Sequence, residues 1–194
     1  MKIIKYFLLI FALICVTCSC SKNSSNDNTI EFNHYVRFGG SEKLKATILW
    51  QYDSDAYTKY QVAYTSYVCS DASVNYNNVI YLELTSKGSK EDSIIRNISF
   101  STIDENGTSF NVGLWSDYKE AYGKEFYSEI EKDLLPKLKY MKYSDVVNID
   151  NKGYGGFRNI EGMKEDAISN GTVSANNVIS IIKAIFDYHI ETHY

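Results

Sequence analysis

The feature that most constrains this chain lies near its C-terminus. From Asn177 onward the apolar positions are Val178, Ile181, Ile182, Ile185 and Phe186. That spacing returns to one side of an α-helix at every turn and predicts a long helix with a buried face. His189 continues the same face and reads as a packed helix end, while His193 is almost terminal. Such a helix needs an apolar partner. Just upstream, Asn170, Gly171, Thr172 and Ser174 are turn and N-cap residue types. A hydroxyl at this place is held on a sharp turn beside the unpaired N–H groups of a helix start. Those groups and the helix dipole favour a phosphate.

Much of the rest of the chain reads as strand. Val79 to Thr85 predicts a strand, and Ser93 to Thr102 alternates and closes a hairpin across the turn Lys87-Gly88-Ser89-Lys90. Tyr57 to Cys69 is rich in Tyr, Val and Thr and reads as strand. Lys45 to Tyr52 fits a strand or a short helix, and Ser109 to Trp115 a further strand. Lys119 to Tyr140 reads as helix, with Pro136 kinking or breaking it near Leu135. The class is α+β: an antiparallel sheet with a few helices, ending in the amphipathic one. The loop Gly153-Tyr154-Gly155-Gly156-Phe157 lacks the spacing and the Lys of a phosphate-binding loop. It implies close backbone approach, either to a ligand ring or to the neighbouring sheet.

The string Asp166, Ser169, Asn170, Gly171, Thr172, Ser174, Asn177 followed by the apolar helix resembles the attachment motif of the FMN-binding domain family. That family includes the flavin-carrying subunits of the sodium-pumping NADH:quinone reductase and of the Rnf complex. The resemblance implies covalent FMN, joined through its phosphate to Thr172 by a flavin transferase. Asp166 and Ser169 would complete the motif, and Gly171 and Ser174 would lie beside the phosphate. Asn170 and Gly171 depart from the family's usual Gly and Ala. The implied function is a step in an electron relay with a separate redox partner, rather than a stand-alone enzyme. The alternative is a cofactor-free, lipid-anchored binding or adhesion module using the Tyr-rich first half.

At the other end, Lys2 and Lys5 precede an apolar run from Tyr6 to Val16 that ends in Thr17-Cys18-Ser19-Cys20. A short apolar run after basic residues reads as an export signal, and a small residue before Cys resembles a bacterial lipoprotein signal. Cys20 is the preferred lipidated residue and Cys18 the second choice. The division is residues 1–20 as signal, 21–30 as tether and 31–194 as one domain. The expected location is the extracytoplasmic face of a membrane, held by acyl chains. Of four Cys, three lie in the signal, so Cys69 has no disulfide partner within the domain.

Charge points away from nucleic acid. The chain has 20 basic and 24 acidic residues, and loss of Lys2 and Lys5 leaves 18 against 24. No basic stripe is visible along the sequence, so no nucleic-acid partner is expected. The three histidines, His34, His189 and His193, have no neighbouring nucleophile elbow or metal-ligand set in the sequence.

Overall fold

Five strands follow one another along the chain and pair in that same order: β1 (Thr29–Tyr35), β2 (Ser41–Asp53), β3 (Tyr57–Ser66), β4 (Tyr76–Thr85) and β5 (Ile95–Phe100). The computed structural model describes residues 28–36, 40–67, 76–100, 130–151 and 172–194. Each pair is antiparallel, so short connections suffice. Between β2 and β3 the Ser54 hydroxyl accepts from the Tyr57 N–H and donates to the Tyr57 carbonyl, which closes the turn through one side chain. Between β4 and β5 the turn expected at Lys87 to Lys90 forms. Gly88 takes φ +100° there, a left-handed conformation open to glycine at little cost.

Three α-helices lie among the described residues, besides a 3-10 turn at Lys90–Asp92. A π-helical turn, Ile130–Leu134, leads into α1 (Leu135–Leu138), with Pro136 in the first turn of the α segment. A first-turn N–H has no intrahelical partner, so proline costs little at that place. Of the helix read over Lys119 to Tyr140, residues 119–129 lie outside the described residues; the rest runs without a break from Ile130 to Leu138 and passes from π to α form at Leu135, next to the proline. Next come α2 (Tyr143–Val147) and the 22-residue α3 (Thr172–His193). Among the described residues no helix is long and apolar enough to cross a membrane.

Residue parity decides which side of the sheet is covered. Thr58, Tyr60, Val62 and Tyr64 of β3 are buried on the helix side. Ile80, Leu82 and Leu84 of β4 join them, and Val178, Ile181, Ile182, Ile185 and Phe186 of α3 complete the same core. The first half of α3 is enclosed on all sides, its polar Asn176, Asn177 and Ser180 included. Asn177 shows what that enclosure does. Its amide accepts from the Tyr35 N–H at 2.7 Å and donates to the Tyr35 carbonyl at 3.0 Å. A side chain of α3 thereby satisfies the open edge of β1.

The α+β expectation holds at this level. β1 itself was not expected. Thr29 and Ile30, placed in the tether by the sequence reading, pair with Thr47 and Ala46.

Candidate functional site

Two β-bulges lie at the end of the sheet nearest the β2–β3 turn, and they build its outer face. The first falls between Ile48 and Trp50 of β2. Ile48 pairs with Val62 on the helix side, whereas Trp50 pairs with Gln61 and Tyr52 with Lys59, which point the other way. Without the extra residue Trp50 would share the side of Ile48. The second bulge falls between Glu83 and Leu84, where Glu83 pairs with Asn97 and Leu84 with Ile95, so that Arg96 is the extra residue. Both bulges aim a large side chain outward at the same end.

The result is a row of rings and cations. The Trp50 and Tyr52 rings lie parallel, with centroids 6.1 Å apart and planes 7° apart. Lys59 Nζ lies 5.9 Å from the Tyr52 ring centroid and 5.8 Å from that of Tyr57. The Arg96 guanidinium lies 4.5 Å over Tyr57, and its Nε sits 3.3 Å from Glu83 Oε1. Tyr52 is 48% exposed despite its size. Separately, at the edge of β5, Tyr140 is 67% exposed and its N–H donates to the Ile95 carbonyl at 2.7 Å. Lys139 Nζ lies 5.3 Å from the Tyr140 ring centroid.

The helix side of the same end carries a polar cluster inside the apolar core. His189 Nε2 lies 2.7 Å from the Thr85 carbonyl, which can only accept, so Nε2 carries the proton. Burial pushes this imidazole down to about 4, against the opposing pull of the Thr85 carbonyl. It is therefore neutral at physiological pH, and its Nδ1 accepts the Tyr60 hydroxyl proton at 2.9 Å. Burial raises the Tyr60 phenol above its ordinary range, so it stays a donor. His193, one turn on along α3, stands beside His189 with ring centroids 4.6 Å apart. Its Nε2 lies 3.2 Å from the Tyr60 hydroxyl, 3.3 Å from Thr58 Oγ1 and 3.5 Å from Asp53 Oδ1.

The third histidine is structural. His34 is fully buried, its Nε2 accepts the Tyr67 N–H at 3.1 Å, and burial lowers its pKa. A cavity of about 460 Å³ separates β1 from the outer side of α3, with Glu31, Lys43, Lys183, Asp187 and Glu191 among its walls. Lys183 is already held there by the Ile149 carbonyl and by Asn151 Oδ1. Among the described residues no group of three or more His, Cys, Asp or Glu converges as a metal site.

Of the residues singled out from the sequence, Asp166, Ser169 and Gly171 lie outside the described residues, as do Cys20, Cys69 and the Gly153 to Phe157 loop. Thr172 is the first residue of α3, and Ser174 is buried in its first turn. The sequence reading missed Trp50, Tyr52, Tyr57, Lys59 and Arg96. It also left the histidines without a carboxylate, because Asp53 is remote from His193 in the chain. The spacing of four residues between His189 and His193 was the visible part of that signal.

Searches among characterised proteins and among solved structures found no match. A family model described as Viral/Archaeal nuclease matches residues 4–184. This finding overturns the resemblance to the FMN-binding domain family, and with it the electron relay, the flavin transferase and the redox partner. The ground for FMN on Thr172 goes as well. The motif misled because Asp, Ser and Thr ahead of an apolar run are what any helix start uses to satisfy its open N–H groups. The cofactor-free adhesion module finds no support in the match either, and the expectation of no nucleic-acid partner is reversed. The match covers the whole sheet, α1, α2 and most of α3. The chain belongs to the Viral/Archaeal nuclease family.

Proposed function

We propose that this protein binds and cleaves polynucleotides, and that the strand lies across the outer face of the sheet beside the β2–β3 turn. The observation that carries the reading is the pair of bulges that turn Trp50, Tyr52 and Arg96 onto the face of Tyr57 and Lys59. Flat rings offer a surface on which bases stack whatever their sequence, and neighbouring cations meet the phosphates between them. The rings are spaced along the sheet and alternate with Lys59 and Arg96, which suits an unpaired strand with splayed bases. A duplex keeps its bases stacked on one another and would offer this face only its backbone. All five residues fall within the family match.

Location belongs to the same proposal. Lys2, Lys5, the apolar run and the Ser19-Cys20 pair support export and lipid anchoring. The protein would then meet polynucleotides outside the cytoplasm, from a membrane surface.

The test is fluorescence anisotropy of the full chain with short labelled oligonucleotides, in single-stranded DNA, single-stranded RNA and duplex arms, over a salt series. Single strands are expected to bind more tightly than duplex, with affinity falling as salt rises. Tyr52→Ala should weaken single-strand binding about tenfold, the loss of one stacked base. Equal affinity for duplex and single strands, unchanged by Tyr52→Ala and Arg96→Ala, would remove this face from the reading.

A further inference from the structure

The polar cluster at the end of α3 is more than a packed helix end, and the reason is its hydrogen-bond direction. The Thr85 carbonyl fixes the proton of His189 on Nε2. His189 Nδ1 must then accept, so the Tyr60 hydroxyl spends its proton on it and turns an oxygen lone pair toward His193. Tyr60, Thr58 and Asp53 all face the same His193 nitrogen, Nε2. Two of these three oxygens are available there only as acceptors. Whenever the His193 ring carries a single proton, these partners hold it on Nε2, and Nδ1 keeps its lone pair. The ring is partly open: its side chain is 18% exposed and that of Asp53 is 54% exposed.

A core whose only need was apolar packing would not assemble two imidazoles, a phenol, a threonine hydroxyl and a carboxylate in one chain of contacts. The cluster also sits where the outer-face row ends. Tyr52 and Asp53 are consecutive, as are Tyr57 and Thr58, and alternate residues of a strand point to opposite faces. A strand stacked on Tyr52 and Tyr57 needs only to pass over the turn at Ser54 to bring a phosphate to the His193 side.

We propose that His193 is the general base of a phosphodiester hydrolysis site, with Asp53 as its carboxylate partner and with Tyr60 and His189 as positioning residues. This assignment rests on the polynucleotide reading above and names the catalytic side chain. His193 lies beyond residue 184, where the family match ends, so the assignment stands on geometry alone. In the step, His193 Nδ1 takes a proton from water, and the water oxygen forms the new bond to phosphorus. The bond from phosphorus to the departing sugar oxygen breaks, its electron pair leaves with that oxygen, and solvent supplies the proton the oxygen takes up. Asp53 steadies the positive ring that results.

The experiment compares the full chain with His193→Ala, Asp53→Asn and Tyr60→Phe, measuring binding and cleavage of the same single-stranded oligonucleotides with and without magnesium. His193 is at the helix end, so His193→Ala should keep the fold, as checked by its melting temperature. The expected result is affinity unchanged and turnover down about a hundredfold or more, with part of the rate restored by added imidazole. Nitrogen NMR should find the Nε2–H form of His193 in wild type and a mixture of both forms in Tyr60→Phe. Cleavage at the wild-type rate in His193→Ala would overturn the assignment and leave the polynucleotide reading standing. Wild-type binding without cleavage would also overturn it. Wild type that neither binds nor cleaves would overturn both.

Discussion

The two faces of this sheet are made by the same strands, yet they obey different rules. On the helix side, Phe32, Tyr60, Ile80, Leu82 and Leu84 are fully buried or nearly so. On the other side, at the turn end, Trp50, Tyr52, Tyr57, Lys59 and Arg96 gather with half-buried or exposed side chains. The contrast shows how a small domain can place its core on one face of a sheet and leave the other free to vary. A strand alternates its faces without choice, so two residues out of step, one at each bulge, are enough to give the second face a surface of its own. The helix side then carries the folding free energy, and the outer side is open to change with little loss of stability.

That division can be broken most directly on the covered side. Leu82→Ala should cost about 2–5 kcal/mol, the range for a buried leucine whose site cannot collapse. Arg96→Ala, on the outer face, should stay within about 1 kcal/mol, because its link to Glu83 is partly exposed. Denaturant melts of the two variants settle the contrast, and a large loss in Arg96→Ala would end it.

Acid should act on the covered side as well. His189 is held near pKa 4 in the folded chain, against an ordinary 6.5. Between those two values the unfolded chain binds a proton that the folded one refuses. Stability is therefore full above about pH 6.5 and falls as pH drops toward 4, by up to about 3 kcal/mol. His34, also lowered by burial, adds in the same direction. Urea melts across this range should show the slope, and His189→Gln should flatten part of it. A flat wild-type profile would mean that the cluster opens to water when His189 charges.

Much of the covered side was legible in the sequence. Strands β3 and β4 announced themselves by β-branched and aromatic residues, and α3 by its apolar spacing. β1 was missed because only Ile30 and Phe32 mark its alternation, directly after a polar run. The outer face was not legible at all, for a physical reason. Its cations come from different strands, Lys59 from β3 and Arg96 from β5. Each is one basic residue in a neutral stretch, and only the pairing register puts them together. A net charge of −4 averages over that arrangement. The histidine cluster was half visible: the helix displays His189 and His193, whereas Asp53, Thr58 and Tyr60 arrive through the sheet. The capping residues before α3 spoke loudly and meant least, since their chemistry is common to helix starts.

On the outer side the effects on stability should be small, and one should reverse in sign. Tyr140 has φ 72°, a left-handed conformation that costs a residue with a Cβ about 1–2 kcal/mol. Glycine removes that strain but frees the unfolded chain, which takes back about 0.5–1 kcal/mol. Tyr140→Gly should therefore melt slightly higher, by about 0.5 kcal/mol on balance, since the ring is 67% exposed and little packing is lost. Tyr140 is a strained, exposed aromatic whose backbone meets the edge of β5 at Ile95. A ring that extended the proposed stacking row would account for it, since strain of this kind gathers at binding sites. Single-strand affinity should then fall a few-fold in the same variant that gains stability. A gain in stability with affinity untouched would confine the row to Trp50, Tyr52 and Tyr57, and would leave Tyr140 as a turn residue whose strain serves only the chain reversal before Lys142.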